Sequence, residues 1–305
     1  MSPRPHRRGR RDELHGVLII DKPHGMTSAA VVGEVRRRAE IGSAGHTGTL
    51  DPIATGVLPV CVGTATKLAQ WLTAEDKAYE AELELGVETD SYDVEGTVTR
   101  RDPDGAARVD RAALEGALAE LACTTEQVPP MHSAIKQGGV RLHELARAGV
   151  EVDRAPRPVR FDRLALLDFE APRARVTIAC SKGTYVRSLV RDLGQRLGCG
   201  AMLTALRRTA SGRFTIDQAI PIDAITSPMA AAARLIPAAQ ALGLPAITVA
   251  PERERDVLDG RELDASAMAP GLFQVLAQSG HVLAICERVG AGMRYHRVLE
   301  PPRSR

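Results

Sequence analysis

Residues 16–39 read GVLIIDKPHGMTSAAVVGEVRRRA, and the hydrophobic period changes within this one stretch. Gly16 to Ile20 is an apolar run suited to a strand buried on both faces, and Pro23 with Gly25 ends it. Thr27-Ser28 then offers an N-cap for a helix reaching about Ala39. Its Val31, Val32 and Val35 share one face, and Arg36, Arg37 and Arg38 stand at the C-terminal end, where cations complement the helix dipole. A buried strand leading into an amphipathic helix predicts an α/β fold.

Further along, Tyr79, Ala81, Leu83, Leu85 and Val87 alternate with Glu80, Glu82 and Glu84, the period of a half-solvated strand. Ala112 to Leu121 reads as a helix. Pro129-Pro130 opens an extended loop through Gly139, followed by a short helix near Leu142 to Ala148. Two strand-like runs, Val159 to Phe169 and Arg175 to Cys180, precede Ser181-Lys182-Gly183-Thr184. Thr184 is the expected cap of a helix with Val186, Leu189, Val190, Leu193 and Leu197 at helical spacing and Arg187 and Arg191 on another face. An Ala-rich helix is expected near Met229 to Leu242. The segment 241–305 carries eight Arg and eight acids, and its short helix (Glu252 to Leu258) and Gly-punctuated strands predict a separate small β-rich domain. Residues 1–12, with five Arg, read as a disordered basic arm. The expected division is therefore 1–12, 13–240 and 241–305.

A chain of 305 residues with 44% apolar and 26% charged positions has the composition of a globular protein able to bury a core. A membrane span and a secretory signal are not expected. The five cysteines form no C-x-x-C pair, so a reducing, cytoplasmic setting fits better than a disulfide framework. Although 35 of the 40 cationic residues are Arg, net charge is only +2, which by itself names no polyanionic partner.

The segment Ala44 to Thr66 is so dense in Gly, Pro and Thr that it reads as a shaped loop. Within it, Gly45-His46-Thr47-Gly48-Thr49-Leu50-Asp51-Pro52 presents one carboxylate, which could act as nucleophile, general base or turn former. Arg187 is a candidate cation to hold such a carboxylate ionised, or a solvated helix residue. Tyr79 and Tyr185, two of only four tyrosines, could stack on an extruded base or pack in a core. No metal spacing, Walker loop or G-x-S-x-G elbow is present. Metal and cofactor chemistry are accordingly not expected.

Five collinear segments together resemble the TruB family of tRNA pseudouridine synthases. They are residues 16–28 (GVLIIDKPHGMTS), 45–59 (GHTGTLDPIATGVLP), 76–79 (DKAY), 129–136 (PPMHSAIK) and 183–188 (GTYVRS). The resemblance implies a mixed β-sheet catalytic core with flanking helices and a C-terminal PUA-like RNA-binding domain. It implies isomerisation of the uridine at position 55 in the tRNA T-loop. The N1–C1′ bond breaks, the base rotates, and C5 joins C1′.

On this resemblance Asp51 is the catalytic residue, and Tyr79, Tyr185, Arg187, Leu206, His46 and Lys22 bind substrate. Tyr79 would stack on the flipped uracil, Tyr185 would form the pocket wall and Arg187 would pair with Asp51. Leu206 would pack on the target base, and His46 would fill the space the base vacates. His132 stands where many relatives have Tyr. The implied partner is the T-arm stem-loop of tRNA, with no cofactor, no membrane and no obligatory protein partner, the enzyme acting as a cytoplasmic monomer. A guide-RNA-dependent relative and a noncatalytic tRNA-binding factor are the competing readings.

Overall fold

The computed structural model describes residues 14–73, 75–290 and 292–299; the arm at 1–12 lies outside them. Strand β1 (Gly16–Lys22) and helix α1 (Ser28–Arg38) form as the opening stretch predicts, and the Thr27 hydroxyl caps α1 by accepting the Ala30 N–H. Val17, Leu18, Ile19 and Ile20 are all buried. Leu18 and Ile20 join the larger core, and Val17 and Ile19 the smaller one on the opposite sheet face. At ~1.5–3 kcal/mol per fully buried aliphatic side chain, those four contribute on the order of 10 kcal/mol before chain entropy is counted.

The main sheet is mixed and, among the described residues, ten-stranded. Its principal order is Phe161–Glu170, Arg173–Cys180, β4 (Lys77–Leu85), Ala201–Ser211, β3 (Ala54–Val62), β1 and Ile220–Pro221; β2 (Ala44–His46) pairs with β3. The pairings are antiparallel except where Ala201–Ser211 meets β3 and where β1 meets Ile220–Pro221. Helices α1, Arg111–Ala122 and Val186–Leu197 bury Val35, Leu114 and Leu189, among others, in the larger core.

The alternation from Tyr79 holds: Tyr79, Ala81, Leu83 and Leu85 are buried, and Glu80 and Glu82 exposed. Four local expectations need correction. The supposed loop Ala44 to Thr66 contains β2 and the nine-residue β3. Pro59 is admissible in so central a strand because β2 flanks only Val60 to Val62 and Ala201–Ser211 only Ala54 to Gly56, so Val57 to Pro59 has a strand neighbour, β1, on one side alone. Thr184 does not cap the following helix. Its hydroxyl turns back to the Ser181 carbonyl at 2.9 Å, and Tyr185 is the N-cap. The Ala-rich segment is two short helices, Pro228–Ala232 and Ala238–Leu242. Ile236–Pro237 lies between them and pairs with β1, and Pro237 cannot sit in a helix interior. The loop after Pro130 carries a small hairpin, Lys136–Gln137 with Val140–Arg141, turning on Gly138 and Gly139, both at positive φ.

Ala246–Thr248, Gly271–Leu276, Val282–Val289 and Gly292–Val298 form a separate four-stranded sheet. With helix Pro251–Leu258 it has its own core around Val257, Phe273, Val275 and Leu283. A fourth apolar cluster, in which Leu68, Val282, Ile285 and Leu299 are buried and Trp71 and Leu242 pack at the edge, joins this unit to the larger one.

Candidate active site

The stretch of β3 without a second strand neighbour is where the site is built. The loop between β2 and β3, residues 47–53, fills the gap: the Thr47 N–H donates to the Pro59 carbonyl at 3.0 Å, and Arg208 Nε donates to the Val57 carbonyl at 2.7 Å. Ser28 pins the loop from α1, its hydroxyl accepting the Leu50 N–H at 2.8 Å and donating to the Leu50 carbonyl at 3.0 Å. The Gly25 N–H holds the Pro52 carbonyl at 2.8 Å, and the Ala54 N–H holds the Asp51 carbonyl at 3.0 Å. With its backbone fixed on both sides, Asp51 presents a carboxylate 39% exposed.

Arg187 meets that carboxylate. Its Nη2 lies 2.8 Å from Asp51 Oδ2 and its Nε 3.5 Å from Asp93 Oδ2, with the Arg187 and Asp93 side chains 7% and 4% exposed. Nη1 donates to the Ser91 carbonyl at 3.2 Å and Nη2 to the His132 carbonyl at 2.9 Å. The guanidinium is thus a fixed fork spanning three segments, the geometry for which Arg is suited and Lys is not. Arg187 is buried and paired rather than a solvated helix residue. His132 contributes its backbone carbonyl.

Asp93 escaped the sequence reading, as did its turn. Its carboxylate accepts the Ser91 hydroxyl at 2.5 Å and the Glu95 N–H at 3.1 Å. Tyr92 between them stands at φ 66°, a costly conformation for a bulky residue. The Arg191 guanidinium covers its ring at 5.0 Å from the centroid. The available signal was the Asp, Ser and Gly density of residues 90–96 directly after a strand.

Tyr79 on β4 and Arg208 on Ala201–Ser211 are register partners, and Leu206 is the partner of Ala81. Leu206 and Arg208 therefore face the same side as Tyr79. Tyr79 is buried beside Arg208; burial pushes its phenol up, and the Arg208 charge opposes that shift. Tyr185 directly precedes the helix carrying Arg187. The Gln127 side chain fixes its backbone N–H at 2.8 Å, and burial raises its phenol too. Lys22 is fully buried and donates to the carbonyls of Pro23 at 2.8 Å and Pro52 at 3.2 Å. Burial lowers its ammonium to about 8, against the opposing pull of Asp51 and Glu95. His46 lies on β2 opposite Val60, half-buried and held toward its neutral form by burial and by Arg208. The fold thus gathers Asp51, Arg187, Lys22, Tyr79 and Leu206 around one loop, with Tyr185 and His46 at its flanks.

A carboxylate partly open to solvent and gripped by a buried guanidinium can act as a nucleophile or a base, with two tyrosines and a leucine beside it to pack against a flat substrate. Among the described residues no group of His, Cys, Asp and Glu is placed to hold a metal, and no helix is long and apolar enough to cross a membrane. Residues 36–186 match the TruB family pseudouridylate synthase (N terminal domain), and residues 187–241 the tRNA pseudouridylate synthase B C-terminal domain. The tRNA pseudouridine synthase B of Aromatoleum aromaticum is 45% identical over 288 residues, covering 93% of this chain and 92% of that one. The chain belongs to the TruB family of pseudouridylate synthases. Another TruB relative, from Symbiobacterium thermophilum, is 50% identical over 252 residues, 81% of this chain and 83% of its own. Among solved structures, that of a Cbf5-Nop10-Gar1 complex aligns with a TM-score of 0.70 at 24% identity, covering 94% of this chain and 86% of that one. That likeness shows the fold alone.

Proposed function

We propose that this chain converts the uridine at position 55 of the tRNA T-loop to pseudouridine, with Asp51 as the catalytic carboxylate. The observation that carries the reading is the Asp51–Arg187 pair at 2.8 Å on a loop fixed from both sides. Family membership supports the reaction, and relatives named tRNA pseudouridine synthase B support the RNA.

The target base must leave its stack to reach Asp51, at a cost of a few kcal/mol. In this reading Tyr79 stacks on the extruded uracil, Leu206 and Tyr185 wall the pocket, and His46 occupies part of the vacated space in the T-loop. Arg187 keeps Asp51 aimed while the N1–C1′ bond breaks, the uracil turns and C5 bonds to C1′. Lys22 holds the loop by the Pro52 carbonyl and supplies positive charge beside Asp51. No atoms or electrons enter or leave overall, so the reaction consumes no co-substrate. The four-stranded C-terminal unit acts as the PUA-like RNA-binding domain, and the enzyme works as a cytoplasmic monomer without an obligatory protein partner.

The test is nucleoside analysis of unmodified tRNA after incubation with the protein. One pseudouridine per tRNA, absent when uridine 55 is replaced by cytidine, supports the assignment. Pseudouridine at another site, or none, contradicts it.

A further inference from the structure

Tyr92 holds a left-handed backbone conformation, φ 66°, that suits Gly or Asn and is costly for a bulky side chain. The turn around it does not need a tyrosine. The Tyr92 N–H donates to the Thr89 carbonyl at 3.2 Å, its carbonyl accepts the Leu203 N–H at 3.0 Å, and the Val94 N–H donates to the Leu203 carbonyl at 2.9 Å. These backbone bonds hang the turn on the strand Ala201–Ser211, and glycine or asparagine would make them without the conformational cost. The use of the tyrosine lies in what its ring meets. The Arg191 guanidinium stands over that ring at 5.0 Å from the centroid, and its Nη1 donates to the hydroxyl at 3.4 Å. Asp192 holds the same guanidinium, accepting from Nε at 2.9 Å.

Arg187 and Arg191 are four residues apart, hence neighbours on one face of the helix Val186–Leu197. Both grip the same turn: Arg187 donates to the Ser91 carbonyl at 3.2 Å and faces the Asp93 carboxylate at 3.5 Å, and Arg191 covers the residue between them. A helix tied to a turn at one point can rotate or slide about that point. Two ties about 6 Å apart along the axis remove that freedom. The freedom matters because Arg187 Nη2 has to arrive 2.8 Å from Asp51. We propose that Tyr92 and Arg191 are positioning residues for the isomerisation: their stack locks the helix against the turn in the register that aims the Arg187 guanidinium at Asp51. The inference rests on the uridine-isomerase reading above, and both residues act through Arg187 without touching substrate.

Full-length Tyr92→Asn, Tyr92→Phe, Arg191→Met and the double variant Tyr92→Asn/Arg191→Met are compared with the native enzyme on unmodified tRNA. Tyr92→Asn and Arg191→Met should each lower kcat roughly tenfold, with KM for tRNA changed less than about twofold. The double variant should fall no further than the worse single one, since either change breaks the same stack. Tyr92→Phe keeps a ring under the guanidinium and should retain most of the native kcat. Asparagine suits the backbone at this position, so the melting temperature of Tyr92→Asn should stay within about 3 °C of the native value although its kcat falls. A readout independent of turnover is hydrogen exchange at the Arg187 Nε–H, assigned by its absence from Arg187→Lys. That exchange should quicken in Tyr92→Asn and Arg191→Met and stay native in Tyr92→Phe. Where Arg191→Met does not fold, Tyr92→Asn carries the test, because it leaves Arg191 its bond to Asp192. Native kcat in Tyr92→Asn, an equal loss in Tyr92→Phe, a multiplicative loss in the double variant, a melting temperature that falls in step with kcat, or unaltered Arg187 exchange overturns the proposal. Absence of pseudouridine with the native enzyme would instead overturn the functional reading, leaving the exchange comparison to judge the Tyr92–Arg191 lock.

Discussion

Arg187 stands between two carboxylates, 2.8 Å from Asp51 and 3.5 Å from Asp93. The two differ in environment: Asp93 is 4% exposed and Asp51 39%. The buried partner anchors the guanidinium, and the open one is presented to the cleft.

Arg187→Ala should therefore do two separable things. It leaves Asp93 a buried charge without its cation, which costs about 3–5 kcal/mol of stability, and it leaves Asp51 unaimed. Thermal unfolding should shift down by several degrees, and turnover should fall roughly 10²-fold or more where folded protein remains. Arg187→Lys keeps a charge without the fork and should restore stability better than activity. Full turnover by the lysine variant would show that a guanidinium spanning both carboxylates is not required.

A glycine pair offers a sharper structural test. Gly56 sits at φ +98°, and a methyl carbon added there would lie 2.2 Å from the Arg208 carbonyl, whereas the same atom on Gly45 would meet nothing within 4 Å. Gly56→Ala should destabilise the protein by about 2 kcal/mol or more, since neither the backbone conformation nor the parallel pairing can yield cheaply. Gly45→Ala should lie within roughly 0.5 kcal/mol of the native protein. Equal melting curves for the two variants would contradict the packing described at β3.

Strands and helices with one clear period were legible in the sequence: β1, α1, β4 and the helix Val186–Leu197 follow from residue order. β3 was hidden because its Gly56 and Pro59 carry loop signals. Pro59 is tolerated because neighbouring strands leave the middle of β3 uncovered, and Gly56 is needed because a Cβ there would strike the Arg208 backbone; both are tertiary circumstances with no local trace. The site was legible through the segment resemblance, which pointed to Asp51 and Arg187. Asp93 and Arg208 were not, since burial of an Asp or Arg depends on partners distant in the chain.

Lys22 makes a pH prediction with opposite signs for stability and activity. Its ammonium titrates at about 8 in the folded protein against an ordinary 10.5. Between those values the folded state binds fewer protons than the unfolded, so this group's contribution to stability rises with pH from about 8 to 10.5 and is unfavourable below. Activity should run the other way, because Asp51 loses a neighbouring cation as Lys22 deprotonates. A profile of kcat/KM should fall above about pH 8, and Lys22→Arg should move that limb to higher pH. Lys77, also lowered to about 8, has Arg208, Glu75 and Asp76 as its charged neighbours, and Lys77→Arg serves as the control. A limb unmoved by Lys22→Arg would exclude this origin.

The C-terminal unit can be removed cleanly only beyond the helix Ala238–Leu242, which packs with the catalytic core. Ending the chain after Leu244 should raise KM for tRNA roughly tenfold or more, about 1.4 kcal/mol of binding, while kcat on saturating RNA changes little. Melting temperature should also drop, because Leu68, Trp71 and Leu242 lose apolar cover. An unchanged KM would remove RNA binding from this unit.

The most direct test of the central claim is tritium release from unmodified tRNA labelled at uracil C5, with native protein and Asp51→Asn side by side. The substitution keeps the size of the side chain, removes its charge and turns one acceptor oxygen into a donor amide. The native enzyme should release the one T-loop tritium, and the variant should lose roughly 10³-fold or more of that rate, with tRNA affinity retained. Release by Asp51→Asn at the native rate would contradict the role assigned to this carboxylate.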